Sequence, residues 1–521
     1  MNVGSRSEIV PDFHSLKNTK KPVLYDTTLR DGAQTEGVNF SLEDKLAIAK
    51  RLSDFGFSYV EGGWPGSNPR DMQFFSDVKK LGLRSRIAAF GMTSPRPESD
   101  ENVKNLAGSG AAAITIFGKA WDLHVRDVLK MSLDENVTMI KKTIDYLKSG
   151  GADVFFDAEH LFDGYKSDPD YALKVLDAAS GAEVLVLCDT NGGAMPWEVD
   201  EITRAVAGRF KKPLGIHAHN DSGMAVMNSL TAMKNGIVHV QGTVNGLGER
   251  CGNMDWTEFL PVASAKLGMK LDVDMKGLSQ LSKYIERMTG FSVARNKPFV
   301  GENAFRHKAG VHIDAVLKTP KAYEHVEPSY VGNTRSFSLS EQVGRAGVLR
   351  VARQYGYRID KSHPVVAEAM RQIKEKQNFT DSELYLLLAK SLDKKQDPFE
   401  LLDYETEISS AGKAKTEIKI RIGKEVFHEI SDGVGPVHSL DLALRKALGR
   451  KYNVEKLQLT NYRVRILNQE KATAASVEVF IEFRANGDTW STSGVSDDLI
   501  KASEEALIKG YRYYLVKNKS G

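Results

Sequence analysis

The chain has 521 residues, too many for one compact core, so two or three domains are expected. Lys plus Arg exceed Asp plus Glu by only 3 (71 against 68), which leaves no basic footprint for nucleic acid or an anionic membrane, and no apolar run approaches the ~18 residues of a transmembrane helix. With only Cys188 and Cys251 a disulfide framework is excluded, and a reducing cytoplasm is the expected compartment.

Residues 1–20 show neither an apolar core nor a cleavage pattern of a secretory signal and are expected to be a flexible lead. From residue 21 onward apolar runs alternate with amphipathic stretches. The strand candidates are PVLYDTT, FSYVEGG, RIAAFG, AAITIFG, DVFFDAE, EVLVLCDT, LGIHAHND and VHVQGTVNG. Between them lie helical patterns such as SLEDKLAIAKRLSDFG, with Ser41 as N-cap, Asp44 three residues on and Gly56 as the stop, and DENVTMIKKTIDYLKSGG. Eight strand–helix units over residues 21–275 predict an α/β fold, a (β/α)8 TIM barrel, with an open doubly wound sheet as the alternative. The barrel is preferred because chemically useful residues recur at the ends of many different strands, where an open sheet would gather them at one switch point.

Past residue 275 the pattern changes. LSQLSKYIERMTG, EAMRQIKEKQNF and DSELYLLLAKSL predict helical linker subdomains over 276–400. Residues 401–521 read as strands then helix, twice over, which predicts an α+β domain with two similar halves. The Gly-bearing turns SDGVGP and STSGVSDD each lead into a helix there.

Barrel active sites lie at the C-terminal ends of the strands. In LGIHAHND the alternation of a strand turns His217 and His219 to one face. Strand one ends in DTTLRDGAQTEG, strand five in FDAEH, strand six in CDTNGG and strand eight in NGLGERCGNMDW. Two imidazoles, a carboxylate and water suit zinc or another divalent metal. Each piece alone has an ordinary explanation, a structural ion pair or a turn residue. Their joint occurrence at one predicted face favours a site. GLGERCG spaces its glycines wrongly for a dinucleotide fingerprint.

DTTLRDGAQTEG, HAHND and GERCGN resemble the family of 2-isopropylmalate, homocitrate and citramalate synthases, whose metal-dependent barrel is shared with 3-hydroxy-3-methylglutaryl-CoA lyase. FRHKAGVHIDAV is similar to the family's segment after the barrel, and the C-terminal domain to its allosteric, dimerising domain. The opening motif is most similar to the citramalate branch; Ala33 stands where many isopropylmalate synthases have Glu, a subgroup mark. The resemblance implies a divalent metal (zinc, manganese or magnesium) on Asp31, His217, His219 and Asn253. It implies Arg30 as stabiliser of developing negative charge, Glu159 as the active-site glutamate, and Gln34 and Thr190 at the substrate. His312 and Tyr323 match catalytic residues that the family delivers from the neighbouring subunit of a domain-swapped homodimer. The implied reaction is condensation of acetyl-CoA with pyruvate to (R)-citramalate and CoA, a first step towards isoleucine through 2-oxobutanoate, with isoleucine as feedback inhibitor. A 2-isopropylmalate synthase using 2-oxoisovalerate is the alternative within the family. A carbon–carbon lyase is less favoured, because a simple lyase has no need of the long C-terminal extension.

Overall fold

Eight parallel strands close into a barrel in which each strand pairs with the next and the eighth returns to the first. The computed structural model describes residues 21–67, 69–337, 344–375, 379–410, 412–468, 470 and 474–518, so the expected flexible lead lies outside the described residues. In chain order the barrel runs β1 (Val23–Asp26), α1 (Leu42–Phe55), β2 (Tyr59–Gly63), α2 (Pro69–Val78), β3 (Arg86–Met92), α3 (Glu101–Gly108), β4 (Ala113–Lys119), α4 (Leu133–Ser149) and β5 (Asp153–Glu159). It continues with α5 (Leu161–Ser167), α6 (Pro169–Ala178), β6 (Val184–Asp189), α7 (Pro196–Arg209), β7 (Leu214–Ala218), α8 (Ala225–Lys234), β8 (His239–Gly242) and α9 (Trp256–Pro261).

The expected punctuation of α1 is present. Ser41 and Asp44 form a reciprocal capping box, and Gly56 ends the helix at φ 119°. A Cβ on Gly56 would fall 2.2 Å from the Asp272 carbonyl, so only glycine fits this stop. α4 begins one residue earlier than the pattern DENV suggested, because Ser132 and Glu135 make a second capping box.

Inward residues alternate along the strands and stack in layers. Tyr25, Tyr59, Ala88, Ala113, Phe155, Val184 and Val186 fill the lower barrel, with the buried His239 ring against Tyr25 and Phe155. One step nearer the strand ends the layer turns polar: the Tyr25 hydroxyl donates to Glu61 at 2.8 Å, and Gln241 donates to Asp157 at 3.1 Å. The mouth lies one step beyond. The apolar outer faces of the strands pack against the helices in a separate, larger core.

By contacts the described chain forms two units. The barrel unit reaches Phe305 and takes in Val326–Arg335; the second holds Arg306–His325 and the chain from Ser336. The helical region after residue 275 is therefore shared. α10 (Leu278–Thr289) buries Leu278, Leu281 and Ile285 in the barrel's outer core. In the second unit two short strands, β9 (Arg306–His307) and β10 (Ser336–Phe337), pair in parallel, and α11 (Gly310–Lys318) precedes α12 (Arg345–Gln354), α13 (Pro364–Glu375) and α14 (Asp381–Leu392). Val348, Ala352, Val366, Ile373, Leu384 and Leu388 form the core of these helices.

The C-terminal part repeats three antiparallel strands and a helix twice: β11 (Glu400–Ile408), β12 (Ala414–Ile422), β13 (Glu425–Gly433) and α15 (Pro436–Leu448), then β14 (Gln458–Ile466), β15 (Val477–Ala485), β16 (Asp488–Ser496) and α16 (Leu499–Asn518). β12 alternates buried and exposed at every residue, with Ile418, Ile420 and Ile422 turned inward. Among the described residues no helix is long and apolar enough to cross a membrane.

Candidate active site

A tight turn at the end of β1 throws two side chains into the barrel mouth. The Thr27 carbonyl accepts from the backbone N–H of Arg30, Asp31 and Gly32 at 3.1, 2.9 and 3.1 Å. The Asp26 carboxylate accepts from Thr28 N–H and Thr28 hydroxyl, both at 2.9 Å, and braces the turn from beneath. Asp31 then faces His217 and His219 from β7 and the residue after it. The His217 Nε2 lies 3.4 Å from Asp31 Oδ2 and 3.3 Å from His219 Nε2, and all three side chains are buried.

The protonation states suit a cation. Burial holds the His217 imidazolium down to a pKa of about 3, although Asp31 pulls the other way, and His219 is lowered by burial too. Asp31 is kept at about 2: burial opposes its ionisation, but Arg30 and then the two imidazoles outweigh it. The amide nitrogen of Gln241 is committed to Asp157, so its Oε1, 2.9 Å from His217 Nδ1, accepts there. That places the His217 proton on Nδ1 and leaves Nε2 as a lone pair. Two buried imidazoles and a carboxylate converge at this point. The Oδ1 atoms of Asp31 and Asn253 are buried without a hydrogen-bond partner among the described residues. An ion held by Asp31, His217, His219 and Asn253 would satisfy all of these, so the donor set fits a divalent metal.

Asn253 reaches this point because the loop after β8 folds back on β7. His219 and Asn253 form an isolated bridge, Met254 N–H donates to the Ala218 carbonyl at 2.9 Å, and Asn253 Nδ2 donates to the Leu247 carbonyl at 3.1 Å. Glycine is required twice in this loop. A Cβ on Gly252 (φ 84°) would lie 1.8 Å from the Gly246 carbonyl, and one on Gly248 (φ 150°) 2.1 Å from Asn253 Nδ2.

Beside the ligands lies a cavity of about 250 Å³, reached by Arg30, Gln34, Trp64, Phe90, Phe117, Asp157, Glu159, Thr190, Glu249 and Arg250. Arg30 Nε donates to Glu61 at 2.5 Å and an Nη to Asp31 at 3.0 Å, and the guanidinium sits 3.7 Å from the Phe90 ring centre. Burial works against its charge, but Glu61 and Asp31 outweigh burial and raise its pKa. Trp64, Phe90 and Phe117 pack on one another with centroids 5.5 to 6.0 Å apart and form an aromatic wall. Glu159 is ion-paired with Lys119. The Thr190 hydroxyl accepts the His160 N–H at 2.8 Å, which leaves its own proton to donate. Arg250 ties three loops together, donating to both Asp221 oxygens and, at 2.8 Å, to the Thr190 carbonyl.

The structure thus brings together Arg30, Asp31, Gln34, Glu159, Thr190, His217, His219 and Asn253. His312 and Tyr323 belong to the second unit, where their rings stack with centroids 4.1 Å apart. Three site residues were not singled out from the sequence: Glu61, Asp157 and Gln241. The signal was available, because each stands two residues from another inward side chain on its strand. Asp157 is raised to about 8 by burial and then by Glu61, so it keeps its proton at neutral pH.

Residues 21–285 match the HMGL-like family, 299–380 the homocitrate synthase post-HMGL domain-like family, and 378–515 the LeuA allosteric (dimerisation) domain. The chain is 43% identical to an (R)-citramalate synthase of Aquifex aeolicus, over 96% of this chain and 99% of that one. It is 41% identical to an (R)-citramalate synthase of Geobacter sulfurreducens, over 95% and 98%. A probable 2-isopropylmalate synthase of Archaeoglobus fulgidus is 28% identical over 94% and 97%. The chain belongs to the (R)-citramalate synthase family, built on an HMGL-like barrel with a LeuA-type C-terminal domain.

Proposed function

We propose that the protein condenses acetyl-CoA with pyruvate and water to give (R)-citramalate and CoA. The observation that carries this reading is one small cavity holding a metal-ready Asp31–His217–His219 set, a fixed arginine and an aromatic wall. A divalent ion on Asp31, His217, His219 and Asn253, whether zinc, manganese or magnesium, would act as a Lewis acid on the keto oxygen of the acceptor.

The chain's own residues account for the rest. Thr190 holds a free hydroxyl proton for the acceptor carboxylate. Arg30 has spent Nε and one Nη on Glu61 and Asp31; the other Nη has no hydrogen-bond partner among the described residues and stands ready for developing oxyanion charge. Of the cavity carboxylates, Asp31 serves the ion, Asp157 is kept protonated, and Glu249 is exposed at the rim. Glu159 is left to take the methyl proton of acetyl-CoA. The resulting enolate carbon bonds to the keto carbon, the keto oxygen takes up a proton, and water cleaves the thioester to release CoA.

The aromatic wall favours pyruvate over 2-oxoisovalerate. Trp64, Phe90 and Phe117 line the cavity of about 250 Å³ beside the ligand set, and each extra methylene in a fitted pocket changes affinity by about 1–3 kcal/mol. We further infer a cytoplasmic, domain-swapped homodimer in which His312 and Tyr323 cover the partner's barrel, with isoleucine as inhibitor bound at the C-terminal domain. The 138-residue match to an allosteric, dimerising family takes in α14 and the strands and helices that follow it, and such an extension suits regulation better than a simple lyase. 

The test is CoA release by the metal-loaded protein with acetyl-CoA and a panel of 2-oxo acids. Pyruvate should be the preferred acceptor. Preference for 2-oxoisovalerate would make it a 2-isopropylmalate synthase, and cleavage of an acyl-CoA without condensation would make it a lyase.

A further inference from the structure

Two residues that shape the cavity stand three apart at the end of β2: Glu61 beneath Arg30, and Trp64 in the aromatic wall. The sheet does not hold this stretch in regular register. The pairing of β2 with β3 shifts between Glu61 and Gly63, and Trp64 lies beyond the strand. The stretch is held instead from outside the barrel by a buried ion pair. Lys45 of α1 and Asp71 of α2 are in direct contact, with side chains 7% and 8% exposed. Lys45 Nζ also donates to the Gly62 carbonyl at 2.9 Å, and Asp71 Oδ2 accepts the Trp64 N–H at 2.8 Å. The fit is close: a Cβ on Gly63 (φ 140°) would lie 2.3 Å from Asp71 Oδ2, and one on Gly62 2.2 Å from the Phe74 ring.

A buried ion pair adds little stability over apolar side chains of similar volume. This pair spends its hydrogen bonds on two backbone groups either side of Gly63, so its effect is on position. We propose that Lys45 and Asp71 are positioning residues that fix Trp64 and thereby set the size of 2-oxo acid admitted. The proposal rests on the condensation reading of the same cavity. A second cavity of about 250 Å³, bordered by Lys45, Arg70 and Asp71, shares Trp64, Arg30 and Gln34 with the first. Once the pair is broken Trp64 can back into that space, and the acceptor pocket widens.

The experiment uses the full-length, metal-loaded protein. Asp71→Asn, Lys45→Met and the uncharged double variant Lys45→Met/Asp71→Leu are compared with wild type, and Trp64→Ala serves as the positive control. Metal content, melting temperature and kcat/KM are measured for pyruvate, 2-oxobutanoate and 2-oxoisovalerate. The preference for pyruvate over 2-oxobutanoate should fall about ten-fold or more, the worth of one methylene in a fitted pocket. It should fall in the double variant even where that variant melts and binds metal as wild type does. A folded, metal-loaded double variant with the wild-type preference would overturn the proposal and leave the pair a fold element. A second readout is Trp64 emission, taken as the difference between each protein and its Trp64→Phe counterpart. It should shift to the red in the pair variants, and an unchanged spectrum in all three also overturns the proposal. If wild type condenses no 2-oxo acid, the condensation reading fails, and the positioning claim is decided by Trp64 emission alone.

Discussion

The Nε of Arg30 lies 2.5 Å from Glu61 Oε2, and that contact, with Phe90 under the guanidinium, fixes the arginine before any substrate arrives. A lysine keeps the charge but cannot present a fork that binds Glu61 and Asp31 and still offers a free N–H. Arg30→Lys should therefore lower kcat by about 10²–10³-fold, the worth of one oxyanion donor, with metal content near stoichiometric. Glu61→Gln should lower kcat in the same direction by loosening Arg30. Kinetics alongside metal analysis check this, and loss of metal together with activity would make Arg30 structural.

His219→Ala should abolish turnover and weaken metal binding while leaving the melting transition cooperative. Exhaustive chelation should do the same to the native protein, with activity restored by a divalent ion. Activity that survives either treatment contradicts the assigned ligand set.

The depressed imidazole pKa values have a direction that can be measured. With His217 at about 3 and His219 lowered, neither ligand must lose a proton at neutral pH. The loss of metal affinity on acidification should therefore set in at lower pH than for an exposed pair with ordinary pKa values of about 6.5. The linked stability runs the same way. Between the unfolded value of 6.5 and the folded value of about 3 the unfolded chain binds a proton that the folded one refuses, so the metal-free protein loses stability as pH falls through that window. Titration of metal affinity and of melting temperature against pH checks both.

His312 and Tyr323 supply a ring pair from outside the barrel unit. If a partner subunit presents them, Glu159→Ala and His312→Ala chains, each inactive alone, should regain part of the activity on mixing. No recovery, with subunit exchange demonstrated by mass, would assign both residues to the same chain's site.

Isoleucine should slow the enzyme and bind the C-terminal domain, leucine and valine less so. The coupling expected between distant sites is about 1–3 kcal/mol, a change in apparent affinity of about 5–150-fold. Removal of residues after about 400 should abolish inhibition. Initial rates with each amino acid, and calorimetric titration, decide it; millimolar isoleucine that neither binds nor inhibits leaves this domain a dimerisation module.

What was legible in the sequence follows from what is local. The eight strands, the Ser41–Asp44 cap and the Gly56 stop are written in short spacings, and so is the aim of His217 and His219 along one strand face. Asn253 was legible only with its loop, because glycines at 248 and 252 are what let the chain double back on β7. Asn486 and Gly487 both take positive φ and turn β15 back into β16 as a hairpin, a signal present in the Asn-Gly pair itself. The alternation that turns Glu61, Asp157 and Gln241 inward was legible, but which of them meet at one point depends on which strands face each other across the barrel. The Lys45–Asp71 pair joins two helices 26 residues apart, and no local pattern announces it. The shared helical region was hidden for the same reason: whether α10 packs on the barrel depends on tertiary contacts of Leu278, Leu281 and Ile285.

The most direct test of the central claim follows carbon and CoA together. The metal-loaded protein is incubated with acetyl-CoA labelled with ¹³C in the methyl group and with pyruvate, and the product is identified by NMR and chiral chromatography while free CoA is counted. One CoA per pyruvate consumed, with the label in the new methylene of (R)-citramalate, formed about 10²–10³-fold more slowly by the Arg30→Lys protein, is the result predicted. Thioester hydrolysis without the new carbon–carbon bond, or a labelled product only when 2-oxoisovalerate replaces pyruvate, would contradict it.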